Sequence, residues 1–181
     1  MAIVLGYLLA LAGLTLVIIA AVPTLNGGVK YSAAKIMLIN LLRTDPNQAE
    51  RLCGGVKGTF FEAVTAAIKT AAMTMSRDPK AIASASLPAF DAAGMGVTMQ
   101  WKQRVGRARL GCMMAGIGLG LTISNNVVSI VVVICVVVAL AGWLWVVVRK
   151  VDVERSILRA RGELLPEVDR AFVDGRYTRA R

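Results

Sequence analysis

Residues 110–148 read LGCMMAGIGLGLTISNNVVSIVVVICVVVALAGWLWVVV and contain no Lys, Arg, Asp or Glu. Val127 to Val148 is the more apolar part, rich in Val and Ile, with Trp143 and Trp145 near its end and Arg149-Lys150 immediately after it. Beta-branched residues are poor helix formers in water, but in lipid every backbone group must pair within its own segment, so this stretch is expected to be a transmembrane helix. Leu110 to Ile123 is shorter, about 21 Å as a helix against a hydrocarbon core of about 30 Å.

Charge decides how the shorter segment is read. Residues 30–109 carry 12 Lys/Arg against 5 Asp/Glu, and residues 149–181 carry 9 against 6. A single crossing between them would leave one basic block outside the cell, against the positive-inside tendency. Two crossings, turning at Ser124-Asn125-Asn126, put both blocks in the cytoplasm. The first arm then starts near Val105, with Arg107 and Arg109 reaching back to the headgroups.

Residues 1–29 are also uncharged. Ala2 to Val22 is long enough for one more span, ended by Pro23 and Asn26-Gly27-Gly28. No basic region precedes it, so a retained span is expected rather than a cleaved signal peptide. The expected architecture is all-α and integral to the membrane, with three transmembrane helices and the N-terminus outside. Its parts are a first span (1–24), a cytoplasmic helical region (25–104), a transmembrane hairpin (105–148) and a cytoplasmic C-terminal helix and tail (149–181).

Composition narrows the function. With 181 residues, 56% of them apolar, a mean hydropathy of +0.64 and 18% charged, the chain is neither disordered nor an ordinary soluble domain. The net charge of +10 flanks membrane spans and accompanies no nucleic-acid signature. Three cysteines cannot pair completely, and with no histidine in the chain no metal or Cys/His site is expected. Glu50, Glu62, Asp91, Glu154 and Glu163 occur singly, and no P-loop, GxSxG or HExxH pattern is present. No enzyme, catalytic residue, metal or cofactor is therefore expected.

The cytoplasmic part divides itself into helices. Val29 to Arg43 continues the first span, Asn47 to Leu52 follows the Thr44-Asp45-Pro46 turn, and Gly58 to Met75 ends at Ser76-Arg77-Asp78-Pro79. Lys80 to Ser86 makes a short helix, and Pro88 opens a long one that runs into the membrane. Beyond Val148, Arg149 to Leu165 prolongs the third span, and Glu167 to Val173 precedes a basic end.

This order of parts resembles the MotA/TolQ/ExbB family of ion-driven motor subunits. The likeness rests on KIMLINLLRTDPNQAERLC, the GTFFEAVTAAIKTA helix, the SRDP turn and a long helix leading into a two-span hairpin, over about residues 1–160. It implies a subunit of the bacterial inner membrane that forms an oligomer, usually of five copies. The oligomer would surround the single-span helices of an ExbD/TolR/MotB-like partner that carries a membrane Asp. Apart from Arg107 and Arg109, which reach back to the headgroups, the chain's own spans contain no Asp, Glu, His, Lys or Arg, so a partner would have to bring that group.

The family's pore is lined by small and hydroxyl residues, which implies Thr122, Ser124 and Ser129 as pore-lining candidates. Gly116, Gly118 and Gly120 are candidates for helix packing, with Gly116 and Gly120 forming a small-xxx-small pair. Lys102, Arg104, Arg107, Arg109, Arg149 and Lys150 are expected to anchor the protein to anionic lipid at the membrane surface. Two other functions stay open: a non-conducting scaffold of the same fold, and an adaptor that binds lipid or a cytoplasmic partner.

Overall fold

A computed structural model describes residues 2–25, 30–124 and 129–175. Among them every regular element is a helix: α1 (Ala2–Leu25), α2 (Tyr31–Thr44), α3 (Pro46–Gly54), α4 (Phe60–Met73), α5 (Pro79–Ser124), α6 (Ile130–Glu163) and α7 (Leu165–Val173). The expected turn residues Asn125 and Asn126, the Asn26-Gly27-Gly28 cluster and the last six residues lie outside the described residues. Helix α1 and the apolar part of α6 are long and apolar enough to cross a membrane.

The chain divides into two compact units. The first comprises residues 1–26 and 101–151, and the second residues 27–100 and 152–181. Both draw on α5 and α6.

In the first unit the buried positions follow a 3,4 alternation. On α1 they are Gly6, Ala10, Gly13, Val17, Ala20 and Thr24. On α5 they are Trp101, Ala108, Gly111, Ala115, Gly118 and Thr122. On α6, Val132, Cys135, Ala139 and Val146 are buried, with Gly142 half-buried between them. Such a seven-residue repeat keeps one seam of each helix facing its neighbours. Here the seam is built mainly of small residues, while Leu8, Ile19, Ile117, Ile134 and Leu144 stand more than half exposed on the outside. Small residues inward and large apolar residues outward is the distribution lipid-facing helices show, because lipid offers no hydrophobic penalty for the large ones and close backbone approach supplies the packing.

The second unit has the opposite distribution, with large side chains inside. Phe60, Phe61, Val64 and Ile68 of α4, Leu38 and Leu42 of α2, and Val168 and Phe172 of α7 are all buried. Local signals set its helix ends. Asp45 accepts hydrogen bonds from the N–H groups of Asn47 and Gln48, at 3.1 and 3.2 Å, so it caps α3 just ahead of Pro46. Thr59 caps α4 through the Phe61 N–H, and the Glu62 carboxylate accepts the Gly58 N–H at 2.9 Å, satisfying a donor ahead of the first turn. Gly58 holds φ at 73°, which a residue with a Cβ would resist.

Two expectations need correction. Pro23 does not end the first helix, since α1 continues to Leu25; the missing N–H costs one bond, and buried Thr24 is held on both sides by the contacts described below. Lys80 to Ser86 and the helix from Pro88 are one helix, α5. Pro88 is exposed on its outer side, while Ile82, Ser86 and Phe90 form a continuous buried row past it. Packing of that row offsets the lost hydrogen bond.

Candidate functional site

The seam of the first unit brings helix backbones into near contact. A Cβ added to Gly118 would stand 2.5 Å from the Gly6 carbonyl oxygen and 2.9 Å from the Ala10 nitrogen. One repeat further, a Cβ on Gly111 would meet the Gly13 carbonyl oxygen at 2.5 Å, and one on Gly142 would meet Val17 Cγ1 at 2.6 Å. These glycines are required by space. Gly118 is thus a packing residue within the chain, but Gly116 and Gly120 meet nothing within 4 Å, and the close approach on α5 falls at Gly111 and Gly118 instead.

The pore candidates separate in the same way. Thr122 is fully buried, its Cγ2 lies 3.0 Å from the Cβ position of Gly6, and its hydroxyl donates to the Leu119 carbonyl at 2.8 Å. Within the single chain α5 turns it toward α1. Ser124 is exposed and donates to the Leu121 carbonyl at 3.0 Å, and Ser129 is half-buried at the start of α6, its carbonyl accepting the Val133 N–H.

The basic candidates all belong to the first unit. Lys102, Arg107 and Arg109 are exposed, and Lys150 is half-buried. Arg104 lies over the Trp101 ring at 5.1 Å, and Arg149 over the Trp145 ring at 4.8 Å. Trp145 is itself fixed, because its indole N–H donates to the Thr24 hydroxyl oxygen at 3.1 Å and that hydroxyl donates to the Ala21 carbonyl at 2.6 Å. The side-chain nitrogens Trp143 Nε1 and Arg149 Nε are buried without a hydrogen-bond partner.

In the second unit, charge clusters tie α6 and α7 to earlier helices. Glu163 accepts a hydrogen bond from the Tyr31 hydroxyl at 2.9 Å and pairs with Lys35 at 2.9 Å. The hydrogen bond from Lys35, and then that from Tyr31, hold the Glu163 carboxyl below its ordinary range, while burial, followed by the Glu163 hydrogen bond, drives the Tyr31 phenol up. Arg43 and Arg170 both reach Glu167, at 3.3 and 3.0 Å, and Arg43 above all keeps that carboxyl low. They rim a shallow cleft of about 300 Å3 with Leu42, Ala171 and Asp174. Arg161 pairs with Asp91 at 2.8 Å. Fully buried Ser86 donates to Asp169 Oδ1 at 2.8 Å, and burial raises the Asp169 carboxyl above its usual value.

No group of three metal-ligating side chains occurs among the described residues. Cys53 is buried at 1% exposure, its thiol pushed up to about 12 by desolvation, so it is an inert core residue. Reading the sequence for charge and hydroxyls misses the α1 seam and the Trp145–Thr24 link. The signal was present, since Gly6, Ala10, Gly13, Ala20 and Thr24 stand at heptad spacing among Leu and Ile.

No family model, no curated protein and no solved structure matches this chain.

Proposed function

We propose that this chain is a TolQ/ExbB-like subunit of an oligomeric bacterial inner-membrane motor, crossing the membrane three times with its N-terminus outside. In this reading it surrounds the single-span helices of a partner that carries the titrating Asp, and couples ion flow to work on the cell envelope. One observation carries it. Helix α5 has small residues on two faces: Gly111 and Gly118 are spent on α1 within the chain, while Gly116 and Gly120 face open space. A second small-residue face has no use in a lone chain and suits the close approach of a further helix. The large apolar residues around it support a lipid or protein neighbour over water.

Burial of Thr122 favours a second reading, a scaffold of the same fold that does not conduct. The two share assembly and differ in flux. Detergent-purified protein should run as a homo-oligomer of about five copies, and a monomer would dismiss both. Co-purification of a one-span protein with a membrane Asp, together with proton or sodium flux in proteoliposomes, supports the motor. The oligomer without flux leaves the scaffold. Replacing Gly116 and Gly120 together with Leu should abolish assembly while leaving the isolated chain folded.

A further inference from the structure

The first unit contains six basic side chains and not one Asp or Glu. Among the described residues no carboxylate pairs with Arg104, Arg107, Arg109 or Arg149. Cations at the edge of an apolar bundle need a counter-charge, and this unit supplies none of its own.

Arg149 differs from the rest in being built in. The Ala21 carbonyl holds the Thr24 hydroxyl, Thr24 holds the Trp145 indole, and the Arg149 guanidinium carbon lies over the Trp145 ring, 4.8 Å from its centroid. A guanidinium carries its N–H groups in one plane, the arrangement that matches two oxygens of a phosphate. The α1–α5 register brings further charge to the same end. Gly6 faces Gly118 and Gly13 faces Gly111, and one more repeat of seven makes Ala20 level with Arg104. Beside Arg149 on the outer surface of α6, Leu144 and Val148 are more than half exposed, so whatever reaches the guanidinium there also meets apolar surface.

We infer that Arg149, held over Trp145, binds the phosphate of an anionic membrane lipid whose acyl chain lies along Leu144 and Val148. A free phosphate would share the charge but leave the apolar surface uncovered. The site lies within one chain, so it goes beyond the motor reading and does not depend on assembly.

All three tryptophans, Trp101, Trp143 and Trp145, belong to this unit, which gives a direct readout. Full-length protein in phosphatidylcholine is titrated with phosphatidylglycerol or phosphatidylcholine, each carrying brominated acyl chains, and tryptophan quenching gives the relative affinity. The anionic lipid should be preferred. Arg149→Gln should cut that preference about fivefold, the value of one interfacial charge, and Arg149→Lys by less. Lys69→Gln, at an exposed position of α4 in the second unit, should leave it unchanged. Equal quenching by both lipids overturns the site, as does a loss from Lys69→Gln equal to that from Arg149→Gln, or no change in either Arg149 variant. Reversal of quenching by inorganic phosphate at matched ionic strength overturns the choice of a lipid.

Discussion

Gly13 and Gly111 face each other across α1 and α5 so closely that a Cβ on Gly111 would stand 2.5 Å from the Gly13 carbonyl oxygen. The obstacle is backbone on both sides, which cannot rotate away as a side-chain tip could. Gly13→Val is therefore expected to destabilise the first unit by about 1–3 kcal/mol or more, the usual cost of overpacking. A thermal melt in detergent measures it, and a melt equal to that of the parent protein would refute the contact.

Gly116 and Gly120 make the opposite forecast. With nothing within 4 Å of their Cβ positions, alanine costs no space there and removes backbone freedom from the unfolded chain. Gly116→Ala should leave the melt of the monomer unchanged or raise it, by no more than about 1 kcal/mol. A loss of several degrees would mean that this face is already occupied within the chain.

Cys53 should resist alkylation in the native protein at pH 8 and react rapidly in denaturant, because its thiol is buried and held protonated. It is therefore no probe of sidedness. A cysteine introduced at Met73, which is 72% exposed, serves instead in a Cys53→Ala background. Labelling of that cysteine by an impermeant reagent added from outside intact cells would reverse the proposed topology.

Acidity should act on two carboxylates with opposite sign. Glu163 has its folded pKa depressed by Lys35 and Tyr31, so its contribution to stability is present above the ordinary Glu value of about 4.3 and is lost as pH falls through the folded value. Asp169 has its folded pKa raised, so its ionisation opposes folding; that cost is absent below about pH 3.9 and complete above the raised value. Glu163→Gln should lower the melting temperature at pH 7 and match the parent protein in acid. Asp169→Asn keeps an acceptor for Ser86 and should raise stability at pH 7. Because the carboxylate is half-buried and screened, the gain should stay below about 1 kcal/mol. Equal changes in the two variants at every pH would contradict both assignments.

The sequence shows most of the helical order because its breaks have local causes. Asp45-Pro46, Thr59 and the uncharged stretches each act over a few residues, and α3, α4 and the membrane-length helices begin or end near where those signals fall. Pro23 and Pro88 mislead for the complementary reason, since a proline's local cost is outweighed by the burial of its neighbours, such as Thr24 and Phe90, in the tertiary fold. The candidate residues are harder to place. Whether Thr122 meets another part of its own chain or an open surface depends on which side of α5 faces α1, and a hydroxyl count along one helix carries no such information. The placement of Gly116 against Gly118 depends on the same rotation of the helix.

The proline within α5 leaves one further mark. Pro88 has no amide hydrogen, so no helical donor reaches the Ser84 carbonyl, and both residues lie on the solvent side. The turn around that carbonyl is therefore the easiest place for the helix to breathe. Deuterium uptake along residues 79–100 should accordingly be fastest beside Pro88 and slowest near buried Val97.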